Sequence, residues 1–482
     1  MAFRAGPGEP YHLASKPSLT GDPLTRALAA FAAGVRHADL PADVVALAKD
    51  LLIDVVGTSL AATTLGAGCR EVIDLAIATG GPGEASILGT GRKVAAPGAA
   101  LANGALAHAL NYDPIGPMVG HIGVTCLVAP LAVAEAASMR TGKPVSGREL
   151  LAACVCGAEV TARITSAIAI TGRHPSERFL AGQYFSYIGA AAGAARMLGL
   201  DADRMRSAFG LALMQTAGSM QVVFDGDPPA KAVYGGFPNQ CGVMAAMLAA
   251  SGLDAGCAAL EGPAGLYGLA YGGEFVPEEI SAGLGTDYRM LDTQIKPWPT
   301  SATAHPFIEA ACTLARAGIT SGDIAEIRIT GRDHIRSWCE PVRERARPMN
   351  AAAAANSIPF TVAKALCHGT VLLHDFTPAG LDDQAATTLA ARTVCRYDDA
   401  LTGGVVELLM RDGSTVREHV SVVLGHPTRR VGRGHLLAKF RDCCRYARLP
   451  LADSRVDGIV SAIDDLEHID DIAILPRLCL PA

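Results

Sequence analysis

Along most of this chain apolar residues recur at intervals of three and four, the spacing that gives an α-helix one buried face. Residues 40–57 (LPADVVALAKDLLIDVVG) are the clearest case, with Pro41 at an early helical position where its missing N–H costs nothing. The same pattern predicts helices over 97–110, 123–140, 147–170, 175–199, 201–219 and 239–252. Several are rich in Ala and Gly, notably 187–199, which implies helices packed closely on thin side chains, and Pro130 is predicted to bend or break its helix.

Beyond about residue 285 the pattern changes. Alternating runs predict strands at 324–330, 405–411 and 416–424, the last two joined by Asp412-Gly413, a strong hairpin cue. Helical segments at 306–317 and 357–368 lie between them, and 433–482 reads helical again. The expected protein is mainly α: a loose arm at 1–24, a large all-helical domain at 25–284, a smaller α+β domain at 285–427, and C-terminal helices at 428–482 that dock back on the helical body.

Composition narrows the possibilities. Half of the 482 residues are apolar but only 5% are aromatic, so the core must be built from Ala, Leu, Val and Ile. A net charge of -6 with scattered basic residues gives no electrostatic footprint for nucleic acid. Glu135 and Gly/Pro breaks interrupt the best candidates for a membrane span, and residues 1–24 lack the apolar core of a signal peptide. The expectation is a soluble, cytoplasmic protein without a membrane partner. Among 13 cysteines there is no C-x-x-C pair, so they are expected to be mostly free thiols serving as small hydrophobes. Phosphate-loop and nucleophile-elbow motifs are lacking, and the glycine-rich 261–274 has the wrong spacing for a dinucleotide.

Chemistry is concentrated in short polar islands beside glycines and prolines, where helices must begin or end and backbone donors lie open. Residues 103–113 carry Asn103, His108, Asn111, Tyr112 and Asp113, and His121 follows within 120–123 (GHIG). A carboxylate and an imidazole across such a loop can share proton transfer, although a lone loop histidine is more often structural. His174 precedes Pro175 at a helix start, a position suited to an anion. Lys231 follows two prolines and Lys296 precedes Pro297-Trp298-Pro299, so both ammonium groups stand on stiffened backbone, as a substrate with several carboxylates requires.

In this order the islands resemble the MmgE/PrpD family, whose members include 2-methylcitrate dehydratase, cis-aconitate decarboxylase and iminodisuccinate epimerase. The resemblance rests on 52–57 (LIDVVG), 102–108 (ANGALAH), the His-Pro after Arg173, Lys231, 296–299 (KPWP), His305-Pro306 and 357–366 (SIPFTVAKAL). It implies a large helical domain with a smaller α+β lid, a homodimer, a cleft site between the domains, and cofactor-independent, metal-free proton abstraction next to a carboxylate of a di- or tricarboxylic acid. Carried over position by position, it implies a site of His121, His174, Lys231 and Lys296 with Asn111 and Asp113; with Tyr234 as a candidate acid and Ser301 beside Lys296, the expected catalytic residues are His121, His174, Asp113 and Tyr234 and the expected substrate-binding residues Lys231, Lys296, Asn111 and Ser301.

The chain departs from the family at several positions. The acidic turn reads Asn111-Tyr112-Asp113-Pro114-Ile115, Tyr234 and Ser301 stand where relatives carry histidines, and Val342 replaces an expected tyrosine. These changes argue against ordinary cis-aconitate decarboxylase activity. A hydro-lyase of the dehydratase type is the first expectation, an isomerase or epimerase the second, and a carboxylate-binding protein without turnover the third.

Overall fold

The computed structural model describes residues 21–118, 120–168, 178–226 and 228–481. It is 59% helix and 8% strand, a mainly α protein with a smaller α+β part. The larger core gathers residues from Leu28 to Ile295 together with Leu436 to Cys479, and a second core runs from Trp298 to Val420.

Small side chains set the spacing of the larger core. Helix Ala96–His108 meets helix Gly236–Ala250 backbone to backbone: a Cβ on Gly104 would strike the carbonyl of Gly235, and one on Gly236 would strike that of Leu101. Helix Ala42–Leu65 runs beneath them, and Gly57 gives room for Phe440 of helix Arg433–Cys444, which brings the end of the chain back onto the large body. Helix Ile122–Thr141 passes through Pro130 as one element, contrary to the predicted break. It is long and apolar enough to cross a membrane, which the sequence reading did not allow, yet 83% of its apolar window is buried in the protein. Its Glu135 accepts from the backbone and hydroxyl of Ser86.

Two short strands, β1 (Ala85–Ile87) and β2 (Arg92–Val94), form a hairpin that the helical pattern had hidden. In the second core β3 (Ile324–Gly331), β4 (Thr393–Tyr397), β5 (Gly404–Met410) and β6 (Thr415–Val420) make one sheet in the order β4-β3-β5-β6. β4 was not foreseen; it pairs parallel to β3, with Ile327 opposite Thr393. Helices His305–Arg316 and Ile358–His368 pack together, the first also against β5 and β6.

Other boundaries moved. The predicted helix 201–219 stops at Leu213, and 214–220 becomes an irregular segment whose Ser219 pairs with Phe179. Of the predicted helix 175–199, the described part is Ala181–Tyr184 followed by Ser186–Met197. All 13 cysteines are free, and ten are buried.

Candidate active site

The polar turn after helix Ala96–His108 carries the site. Asn111 adopts φ 50°, a left-handed conformation that Asn tolerates better than most residues. Pro114 then favours an extended Asp113. Ile115 pairs with Gln294 through two backbone hydrogen bonds of 3.0 and 2.7 Å, so the turn is tied to the irregular segment that delivers Lys296 two residues later.

Asp113 is fully buried between two imidazoles. His121 Nδ1 lies 2.6 Å from one carboxylate oxygen and His108 Nδ1 lies 3.1 Å from the other. The two rings meet edge to face at 4.5 Å, and the ring of Tyr234 lies 4.1 Å from that of His108. The close crossing at Gly104 explains this, since it sets the end of one helix against the residues just before the other. Gly182 completes the cluster. A Cβ placed there would overlap the His121 ring and stand 2.9 Å from His121 Nε2 and 2.8 Å from the Tyr234 hydroxyl. Only a glycine at 182 lets this backbone pack so closely against the His121 ring and the Tyr234 hydroxyl.

Burial sets the protonation of this group. Burial alone would raise the Asp113 carboxyl, but the charges and hydrogen bonds of His121 and His108 hold it well below the usual carboxylate range. Burial pushes His108 down to about 4 despite the attraction of Asp113, so this ring is a neutral Nδ1–H donor at pH 7. Tyr234 is driven well above its ordinary value by burial and by Asp113, and stays protonated.

Lys296 is buried and donates to both the backbone carbonyl (2.9 Å) and the side-chain oxygen (2.8 Å) of Asn111. Burial lowers its pKa to about 8; Asp113 opposes that shift and Lys439 adds to it. Lys439 itself reaches back from helix Arg433–Cys444, donating to Asp54 (2.6 Å) and to the carbonyls of Tyr112 (2.8 Å) and Lys296 (3.0 Å). Asp54, in helix Ala42–Leu65, is raised by burial to about 6 even with Lys439 beside it.

A cavity of about 330 Å³ opens over these groups, at the junction of the two cores. His108, Asn111, His121, Lys231, Tyr234, Lys296 and Ser301 all line it, as do Trp338, Ala352 and Phe376 of the smaller unit. Asp113 stands behind the two histidines rather than on the surface. His174 lies outside the described residues. His305 is buried edge-on to Trp298, held neutral chiefly by burial, and does not reach the cavity.

Sequence reasoning missed three contributors. His108 was visible only as the end of a motif, although a His-Asp-His set within fourteen residues was a usable signal. Gly182 and Lys439 carried no local signal, and Asp54 was visible only inside the 52–57 motif: Lys439 is 143 residues from Lys296 and meets it only through the fold.

Within the described residues, His108, Asp113 and His121 also form a group whose ligand atoms lie within 4.8 Å of one another, compact enough for a metal ion. Each imidazole instead addresses its own carboxylate oxygen, an arrangement that orients two rings.

A large helical body and a small sheet-bearing unit thus meet at a cavity where a buried imidazole–carboxylate cluster and two lysines lie together. Models of the MmgE/PrpD N-terminal and C-terminal domains match residues 26–278 and 298–465, and the chain belongs to this family. It is 28% identical to the cis-aconitate decarboxylase-like protein oryM of Aspergillus oryzae, over 81% of this chain and 84% of that protein. Cis-aconitate decarboxylase of Aspergillus terreus is 26% identical over 94% and 95%, and that of Homo sapiens 23% identical over 79% and 78%.

Proposed function

We propose that the protein is a cofactor-independent lyase of the dehydratase type, which removes a proton beside a carboxylate of a di- or tricarboxylic acid. The observation that carries this reading is His121, held by Asp113 at 2.6 Å and lining the same cavity as Tyr234, Lys231 and Lys296. Asp113 occupies His121 Nδ1 and so fixes the tautomer that leaves Nε2 as base. Negative charge then grows on the substrate carboxylate, where Lys231 and Lys296 can stabilise it. The protonated Tyr234 phenol is suited to donate a proton to a departing hydroxyl, which leaves as water while the C–O bond breaks.

Reprotonation of the same carbanion would give the isomerase or epimerase; the reaction named in the fungal and human relatives instead loses carbon dioxide from a carboxylate without prior proton removal and protonates the carbon that this leaves. Asn111, Tyr234 and Ser301 depart from the family pattern, which argues against the relatives' decarboxylation; dehydration is placed first as the commonest activity of the family, with isomerisation second because the acidic turn is depleted. Purified protein would be screened by NMR in heavy water against citrate-like, aconitate-like and aspartate-derived acids, before and after exhaustive chelation. An alkene product and deuterium incorporation, unchanged by chelator, are expected. Ligand-induced stabilisation with neither product nor exchange would reduce the protein to a binder, and loss of turnover with chelator would overturn cofactor independence.

A further inference from the structure

One buried ion pair lies behind the cavity without lining it. Asp54 of helix Ala42–Leu65 and Lys439 of helix Arg433–Cys444 meet at 2.6 Å, both shielded from solvent. Such a pair is weak evidence for stability, because lost hydration cancels much of the attraction. Asp54 Oδ1 has no hydrogen-bond partner among the described residues, so Lys439 alone holds the carboxylate, through Oδ2. The other two N–H groups of Lys439 meet the carbonyls of Tyr112 at 2.8 Å and Lys296 at 3.0 Å, and the charge rests 3.7 Å from the centre of the Tyr112 ring. All three donors are thereby used. Tyr112 stands between Asn111, which accepts from the Lys296 ammonium, and Asp113, which orients His121 and His108. One ammonium therefore spans the two backbone segments that bring the acid–base group and the cation together.

We propose that Lys439 is a positioning residue, which fixes from outside the cavity the distance between the turn bearing Asp113 and the segment bearing Lys296. The role rests on the acid–base reading above and extends it to a residue of the C-terminal helices. Asp54 keeps the ammonium aimed at the two carbonyls. Without that ammonium, two carbonyl oxygens converge on one buried point with no donor between them; they repel, and the segments part. Misplacement approaching 1 Å costs on the order of 100-fold in rate. Lysine suits the task because its donors radiate from one compact point, whereas the larger planar head of arginine would force the carbonyls apart.

The test is the double variant Asp54→Asn/Lys439→Met, compared with the parent at a temperature where circular dichroism shows both fully folded. Removing one charge of each sign relieves the stranded carboxylate that could keep Lys439→Met from folding. On an acid that the parent processes, kcat should fall about 10- to 100-fold, with KM changed less because Lys231 stands on a separate helix, Pro229–Ala232. In the ligand-free protein the ring ¹⁵N resonances of His121 and His108 should move, although neither ring hydrogen-bonds to Lys439. If the double variant does not fold, Lys439→Arg, which keeps the charge and the donors, should show the same loss. A parent-like kcat in the folded variant, or unmoved resonances, overturns the positioning role and leaves the lyase reading intact. A parent that turns over no acid overturns the lyase reading, and the histidine resonances then decide the positioning role by themselves.

Discussion

One added methyl group at Gly182 tests the acid–base geometry with little disturbance elsewhere. In Gly182→Ala the new carbon stands 2.8 Å from the Tyr234 hydroxyl and 2.9 Å from His121 Nε2, and it overlaps the ring itself. Ordinary contacts begin at about 3.5 Å, so phenol and imidazole must each retreat by roughly 0.6 Å or more. Misplacement approaching 1 Å costs on the order of 100-fold in rate. Overpacking costs about 1–3 kcal/mol, but alanine in the helix Ala181–Tyr184 returns about 1 kcal/mol relative to glycine. The expected result is therefore a kcat lowered about 100-fold with a melting temperature only a few degrees lower. Turnover or solvent-deuterium exchange on the preferred acid, a thermal melt, and histidine ¹⁵N shifts would be read together. Exchange within threefold of the parent, with unmoved His121 resonances, would refute the assignment of His121 and Tyr234 as the acid–base pair.

Other consequences can be measured independently. Asp113→Asn keeps the shape but removes the carboxylate that orients both rings, and should lower kcat by about 10²–10⁴-fold with little change in KM. Activity that needs the Lys296 ammonium should fall as pH rises through about 8, and Lys296→Arg should move that limb upward. The sign for stability is opposite: the unfolded chain holds the Lys296 proton up to about its ordinary 10.5, so stability attributable to this group should rise between about pH 8 and 10.5, by about 3 kcal/mol at most. Lys439→Met strands the Asp54 carboxylate in the interior and should destabilise by about 3–5 kcal/mol, less at pH 5 than at pH 8 because protonation relieves it; Asp54→Asn in the same background should recover part of the loss. We propose that two copies pair as a homodimer through the exposed face of helix Gly236–Ala250, where Phe237, Met244 and Leu248 recur at one-face spacing; the parent should sediment as a dimer and Leu248→Glu as a monomer, and a monomeric parent or an unchanged profile rejects this.

Local pattern was enough for the helical body and for most of the strand-bearing unit, because burial on one face imposes a period that can be read in any short window. The Asp412-Gly413 turn between β5 and β6 was legible for the same reason: Gly413 takes φ 87° and needs no partner elsewhere. β4 was not legible, since its pairing is with β3 over sixty residues away and its own run, 393–397, is short. The helix through Pro130 defeated a local rule because neighbouring helices hold it on all sides.

The sequence by itself determined which residue types could do the chemistry: an aspartate and a histidine across a turn, a tyrosine, and two lysines set beside prolines. It could not determine their protonation or their mutual aim, which depend on dielectric and on distances of a few ångströms between segments far apart in the chain. Only the tertiary structure decided that His108 is neutral, that Lys296 titrates near pH 8, and that Lys439 of the last helices ties Tyr112 to Lys296. Desolvation and close packing are properties of the folded interior, and no local stretch of sequence contains them.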